Sequence, residues 1–344
     1  MRFLFVGGGT GGHLAPALGM AEELRRRGHE TLFLTSGRGV EQDFLAAAGA
    51  WASLGTDGGR MPRPLRLLRA MARARREAAR FRPQLVVGLG GLTGAAALGA
   101  KGRRPLVLLE GNRVVGRGVR FLRRWADGAL TLFPEPAGEL PGGRCVGPIG
   151  RAALAPRPRA EARRALGLAE EGLVLFLTGG SQGALDLNRW AAELAPELAR
   201  RGVQLHAAAG AGKDRGLREA MAAHRVAGRV VAHCADMGAA YSAADLALCR
   251  GGAATVAELW LHRLPAVVVP YPGHADRQQE LNARALEPGV RVLDDGAAVR
   301  AAVLELLDDA GARRAMSASL AASAPPDGLA QAVGMLEEMA ARFA

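Results

Sequence analysis

Two glycine-dense turns, Gly7-Gly8-Gly9-Thr10-Gly11-Gly12-His13 and Gly179-Gly180-Ser181-Gln182-Gly183-Ala184, have the composition of phosphate-binding loops. Glycine lets the backbone approach an anion, and the helix that follows offers free N–H groups and the positive end of its dipole. In the second turn the Ser181 hydroxyl can also donate to a phosphate oxygen. A third cluster runs Gly88-Leu89-Gly90-Gly91-Leu92-Thr93-Gly94. A fourth runs Arg250-Gly251-Gly252-Ala253-Ala254-Thr255-Val256-Ala257-Glu258. Gly251 and Gly252 can start a helix whose N–H groups face an anion, and Glu258 could accept both hydroxyls of a ribose. In His274-Ala275-Asp276-Arg277-Gln278-Gln279 the paired amides both donate and accept, as sugar hydroxyls require.

Gly7, Gly9 and Gly12 also fit the G-x-G-x-x-G of dinucleotide sites. That chemistry needs an acidic residue at the end of the second strand to hold the ribose. The second strand here ends Leu34-Thr35-Ser36-Gly37, so a dehydrogenase is disfavoured.

The elements that must position these turns are short apolar runs alternating with helical patterns. Strands are expected at 2–6, 30–35, 84–88, 105–109 and 126–132, then at 173–178, 203–208, 229–233, 245–249, 266–269 and 290–293. They are brief, apolar and glycine-bounded, as strands buried on both faces are. Helices are expected between them, at 14–27 and 65–80 for example. Such alternation implies α/β domains built on doubly wound parallel sheets. A chain of 344 residues is long enough for two of them. The proline-rich stretch 148–159 reads as a linker and 323–328 as a second break before a last helix at 329–342. The expected domains are therefore 1–150, 151–324 and a C-terminal helix, 325–344.

Hydrophobic residues at 49% and charged residues at 23% exclude a disordered chain. No apolar run approaches the ~20 residues needed to cross a bilayer, and the N-terminus turns glycine-rich before a signal-peptide core could form. Three cysteines with no Cys-x-x-Cys spacing indicate neither a disulfide framework nor a zinc site, which fits a reducing cytoplasm. The net charge of +12 is confined to residues 1–150, which hold 23 basic against 11 acidic side chains; the remainder balances at 22 each.

Taken in order, the blocks at 8–13, 179–184, 249–258 and 276–279 resemble the MurG family. These are bacterial UDP-N-acetylglucosamine:N-acetylmuramyl-(pentapeptide) pyrophosphoryl-undecaprenol N-acetylglucosamine transferases. The resemblance implies a GT-B architecture: two Rossmann-like domains facing a cleft, with the C-terminal helix returning to the N-terminal domain. It implies a UDP-sugar donor held by the C-terminal domain and the lipid acceptor, lipid I, held by the N-terminal one. Carried over by position, Ser181 and Arg151 would lie near the diphosphate, within a donor set that includes Gln182, Gly183, Arg250, Gly252, Ala253, Ala254 and Thr255. Glu258 would bind ribose, the backbone at Cys234 would meet the uracil edge, and Gln278 and Gln279 would hold N-acetylglucosamine. Thr10, Gly11, Gly12 and Asn112 would line the cleft from the other side, with Gly90, Gly91 and Thr93 towards the acceptor. The chain departs from the family pattern at Leu92, Gly94 and Ala96, in Leu109-Glu110-Gly111-Asn112, and in Gly147-Pro148-Ile149-Gly150-Arg151.

Sugar transfer from UDP needs charge stabilisation on the departing diphosphate and a base for the acceptor hydroxyl. No Asp-x-Asp metal motif occurs, so no metal or other cofactor is expected, and helix N-termini with Arg151 or Arg250 are the candidates for the first task. His13 is the candidate base and Glu110 its rival. Residues 65–81 carry an apolar stripe (Leu67, Met71, Ala74, Ala78, Phe81) beside an arginine stripe, and 118–124 adds Phe121 and more arginines. Both suggest docking on an anionic membrane surface. A UDP-N-acetylglucosamine 2-epimerase or another glycolipid synthase is the nearest alternative. A nucleic-acid partner is disfavoured, because 4% aromatics leave no stacking platform.

Overall fold

The structure, a computed structural model, describes the chain except residues 9–10, 38–44, 46–48, 57–61, 181, 274–275, 324–327 and 344, and the side chains at 11–13, 63 and 92. It divides into two compact units, Met1–Ala152 with Pro325–Ala344, and Ala153–Ala324.

In the first unit the strands are β1 (Arg2–Val6), β2 (Glu30–Thr35), β3 (Trp51–Ser53), β4 (Leu85–Gly88), β5 (Leu106–Glu110), β6 (Gly128–Thr131) and β7 (Gly143–Cys145). The helices are α1 (Gly11–Arg26), α2 (Arg63–Phe81), α3 (Gly91–Gly94), α4 (Ala97–Lys101), α5 (Arg117–Leu122) and α6 (Pro134–Glu139). All strands pair in parallel, in the order β3-β2-β1-β4-β5-β6-β7. Side chains alternate across a strand. Phe3 and Phe5 of β1 therefore enter one core with Leu14, Leu18 and Leu24 of α1, while Leu4 and Val6 enter the other with Ala70, Ala74 and Ala78 of α2. Burial on both faces is why these strands read as unbroken apolar runs.

That second core corrects one expectation. Ala74 and Ala78 of the apolar stripe are buried and Met71 and Phe81 pack at the edge of the same core, so the stripe binds α2 to the sheet. The large apolar side chains α2 leaves exposed are Leu65 and Leu68, at 52% and 61% of their full area.

In the second unit come α7 (Arg159–Leu166), β8 (Val174–Thr178), α8 (Leu185–Glu193), α9 (Ala195–Arg200), β9 (Gln204–Ala208), α10 (Arg215–His224), β10 (Gly228–Val231) and α11 (Met237–Ala243). They are followed by β11 (Leu246–Cys249), α12 (Ala253–His262), β12 (Ala266–Val268), α13 (Gln278–Arg284), β13 (Val290–Val292), α14 (Gly296–Asp308) and α15 (Ala310–Ser323). The parallel order is β10-β9-β8-β11-β12-β13. The chain then returns to the first unit as α16 (Gly328–Arg342), whose Ala332, Val333, Leu336 and Ala340 join the core of α1. Glu337 of α16 pairs with Arg27 at 2.9 Å and with His29 at 2.8 Å.

Each sheet reverses its strand order once, between β1 and β4 and between β8 and β11. A crevice opens at the carboxyl ends of the strands at such a point, and ligands of open α/β sheets bind there. The glycine turns at 7–12, 88–94, 179–183 and 250–252 all follow these four strands.

Candidate active site

In the second unit, parallel strands bring five connections to one end of the sheet: 179–184 after β8, 209–214 after β9, 232–236 after β10, 250–252 after β11 and 269–277 after β12. The first two are packed together. Gly183 has φ +65°, and a Cβ there would lie 2.2 Å from the Ala209 carbonyl oxygen, so only glycine fits. Its N–H closes the turn on the Gly180 carbonyl at 3.0 Å. The Lys213 ammonium donates to the carbonyls of Gln182 at 2.8 Å and Gly183 at 3.2 Å. Buried Asn188 of α8 donates to the Ala209 and Lys213 carbonyls at 2.9 and 3.0 Å.

The fourth turn is tied to the first by charge. Arg250, 8% exposed, grips both carboxylate oxygens of Asp186 in the first turn of α8, at 2.6 and 2.7 Å. It also donates to the Val269 carbonyl at 3.2 Å and lies over the Tyr271 ring. In this structure Arg250 neutralises Asp186 and joins two turns. Gly252 is the N-cap of α12, with Ala253, Ala254 and buried Thr255 in the first turn. Asn282 of α13, fully buried, donates to the Gly251 carbonyl at 3.4 Å. In the same helix, Gln279 accepts the Tyr271 N–H at 2.9 Å, which pins the loop after β12, and half-buried Gln278 opens the first turn.

The loop carrying Cys234 is held from both sides. Asp236 caps α11 through the Ala239 N–H at 2.9 Å and pairs with Arg157 through two 2.8 Å bonds. The Cys234 thiol lies 3.7 Å from His206 Nε2 and is pushed up to about 11 by burial, so at neutral pH it is a neutral packing group. His206 stacks on Phe176, whose ring meets Tyr241 edge-on, and Tyr241 stacks on His262. Burial pulls both histidines down to about 4. The wholly buried Tyr241 hydroxyl sits near Glu258 and Thr255 without full hydrogen-bond geometry to either; burial, then the Glu258 charge, raise its pKa well above the usual value. Glu258 itself is half-buried on α12.

In the first unit, Gly7 has φ +142°, and a Cβ there would lie 2.7 Å from Leu89 Cβ, so the turns after β1 and β4 touch only because residue 7 lacks a side chain. Gly11 and Gly12 open α1. Gly90 is buried and Gly91 half-buried; buried Thr93 shares a 3.1 Å hydroxyl contact with Thr56. Glu110, 2% exposed at the end of β5, accepts the Asn112 N–H and side-chain amide, both at 2.9 Å, and the Gly116 N–H at 2.7 Å. Burial raises its pKa, and these N–H groups oppose the rise. Its oxygens are committed to the loop 111–116, and Asn112 is thereby fixed at the strand end. Arg151 lies beside α1, where the next N–H, of Ala152, donates to Glu22 at 3.2 Å.

Thr10, Ser181 and His274 lie outside the described residues, as does the side chain of His13. Among the described residues no three His, Cys, Asp or Glu side chains are grouped to hold a metal ion, and no helix is long and apolar enough to cross a membrane. Asp186, Lys213 and Tyr241 enter the site without having been expected there. Lys213 alone carried a signal, as one of two lysines in a chain with 45 basic residues.

Residues 3–131 match the glycosyltransferase family 28 N-terminal domain, and 174–325 match its C-terminal domain. The UDP-N-acetylglucosamine–N-acetylmuramyl-(pentapeptide) pyrophosphoryl-undecaprenol N-acetylglucosamine transferase of Symbiobacterium thermophilum is 35% identical over 352 residues, 95% of this chain and 93% of that one. The crystal structure of Acinetobacter baumannii MurG superposes with a TM-score of 0.76 at 25% identity, covering 98% and 99% of the two chains. A Listeria monocytogenes protein assigned as a UDP-N-acetylglucosamine 2-epimerase superposes at 0.68 but at 13% identity, over 96% and 94%, a likeness of fold alone.

Proposed function

The chain belongs to glycosyltransferase family 28, whose two domain models it matches in order, and on that premise we propose its reaction. It is a UDP-N-acetylglucosamine-dependent glycosyltransferase of peptidoglycan synthesis. It transfers N-acetylglucosamine to the C4 hydroxyl of the N-acetylmuramic acid of lipid I, giving lipid II. The observation that carries this reading is the 35% identity to a named transferase of that kind along 95% of the chain.

The second unit takes the donor. The turn 179–183, with Ser181, and the start of α8 receive the diphosphate, whose charge the helix dipole offsets as the sugar departs. Arg151 adds a cation. The Glu258 carboxylate accepts the ribose hydroxyls, the backbone at Cys234 meets uracil, and Gln278 with the amide nitrogen of Gln279 orients the sugar. The sequence lacks an Asp-x-Asp motif, which supports charge stabilisation by backbone dipoles and arginine rather than by a metal ion.

The first unit takes the acceptor. His13 is the general base. Glu110 is the positioning residue that sets Asn112 and the 111–116 loop, because its lone pairs already serve three N–H groups. Attack opposite the departing UDP inverts the anomeric carbon and gives a β-1,4 link. The enzyme works at the cytoplasmic face of the cell membrane as a peripheral protein. Supporting this are the basic excess of residues 1–150 and the exposed Leu65, Leu68, Phe121 and Trp125 among arginines.

The decisive experiment follows UDP release from UDP-N-acetylglucosamine with and without a lipid I analogue, in the presence and absence of EDTA. Acceptor-dependent release that survives EDTA is expected. Conversion of the donor sugar without acceptor would make the protein an epimerase instead.

A further inference from the structure

Lysine is almost absent from this chain: Lys101 and Lys213 stand among 45 basic residues, so arginine fills nearly every cationic position. At 213 the geometry calls for an ammonium. Its Nζ donates to two successive carbonyls, Gln182 at 2.8 Å and Gly183 at 3.2 Å, a convergence that suits a compact point donor better than a planar fork. The lysine backbone is held as firmly as its tip. Its N–H donates to the Gly210 carbonyl at 3.1 Å, and its carbonyl accepts from Asn188 at 3.0 Å.

Within a trans peptide unit the C=O and N–H point in opposite directions. Drawing the Gly183 carbonyl towards Lys213 therefore aims the Ala184 N–H the other way, beside the opening N–H groups of α8. Its N-cap, Ala184, has no side-chain acceptor, and the Asp186 carboxylate accepts the Leu187 N–H at 3.0 Å. We propose that Lys213 is a positioning residue for the donor diphosphate: by holding the carbonyls of Gln182 and Gly183 it points the N–H groups at 184–186 at the anion. This rests on the reading that the 179–183 turn receives a nucleoside diphosphate. Lys213 also places a positive charge behind the turn, while Arg250 cancels the one carboxylate, Asp186, in the first turn of α8.

The test is calorimetric titration of wild type, K213M and K213R with UDP and, separately, with uridine. Loss of the ammonium should weaken UDP binding about tenfold or more and leave uridine within about twofold, since uridine has no phosphate to present. K213R, which keeps the charge but not the point geometry, should fall between. If K213M does not fold, K213Q gives the same comparison with one donor retained and the charge removed. Equal losses for uridine and UDP would reduce Lys213 to a structural prop, and unchanged UDP affinity would dismiss it altogether. Wild type that binds uridine but gains nothing from the diphosphate would overturn the diphosphate assignment itself. That outcome is separable, because it appears before any substitution is made.

Discussion

Arg250 and Asp186, 64 residues apart in sequence, form an ion pair in which one guanidinium nitrogen meets both carboxylate oxygens and clamps the turn after β11 to the first turn of α8. The pair is unequal in burial: the arginine side chain is 10% exposed and the aspartate 33%. It sits where a carboxylate is both favoured by the helix dipole and adverse to an incoming diphosphate. Arg250 resolves that conflict by neutralising Asp186.

Substituting the two partners should therefore have opposite consequences for the donor. R250M strips the countercharge and leaves a carboxylate facing the diphosphate, so UDP affinity should fall about tenfold. D186N leaves a buried guanidinium without its anion and should lower unfolding free energy by roughly 2–4 kcal/mol, while UDP affinity is kept or improved. Chemical denaturation and UDP titration on both variants check this. Equal loss of UDP affinity in the two would refute the charge argument.

The proposed reaction gives Glu110 the positioning role and His13 the role of base on the acceptor side. E110Q puts an amide N–H against N–H groups that now meet an oxygen, loosening the loop 111–116. Turnover should drop at least about tenfold, with the donor KM near that of wild type and the neutral limb of the pH–rate profile in place. H13A should depress kcat far more, by about a hundredfold or more, and abolish that limb. If E110Q removes the limb and H13A does not, the base is Glu110.

Four exposed apolar side chains of the first unit lie on or just after α2 and α5, and α3 packs against both helices. Leu65 and Leu68 stand at 52% and 61% exposure, Phe121 and Trp125 at 43% and 38%, and Arg124 lies over the Trp125 ring. Apolar groups set among arginines suit an anionic interface. Sedimentation with vesicles containing anionic lipid should carry the wild type down, and neutral vesicles should not. L65S/L68S/F121S should bind several-fold less, with its melting temperature nearly unchanged because these side chains lie outside the core. Equal, negligible binding to both vesicle types would dispose of the surface.

The sequence made most of this fold readable because strands buried on both faces leave apolar runs that period and glycine boundaries delimit. β3 and β7 escaped because three-residue edge strands such as Trp51-Ala52-Ser53 and Gly143-Arg144-Cys145 are half exposed and carry no such run. The stripe on α2 was visible, but periodicity cannot tell a face that packs on a sheet from one that meets lipid. Leu65 and Leu68 sit off the stripe that was counted. At the site, turns that depend on glycine announced themselves locally. The partner of Arg250 did not, because the aspartate that claims its guanidinium comes from another strand–helix unit. Lys213 stood out by rarity, as one of two lysines, but its role did not, since that depends on two carbonyls that sequence cannot orient.

The aromatic file His206, Phe176, Tyr241 and His262 makes the stability of the second unit depend on pH. Burial is the main cause that brings both imidazoles down to about 4, with Arg229 adding to it for His206 and Arg157 for His262. In the unfolded chain each titrates near 6.5. A histidine whose folded pKa is depressed binds a proton more readily when unfolded, so stability is full above about 6.5 and is lost as pH falls towards 4. Between pH 7 and pH 5 each ring should cost roughly 2 kcal/mol of unfolding free energy. H206F keeps the stack on Phe176 and cannot take up a proton, so it should lose about half as much as wild type over that interval. Urea denaturation at the two pH values measures it, and an H206F slope equal to that of wild type would show that His206 is already solvated in the folded protein.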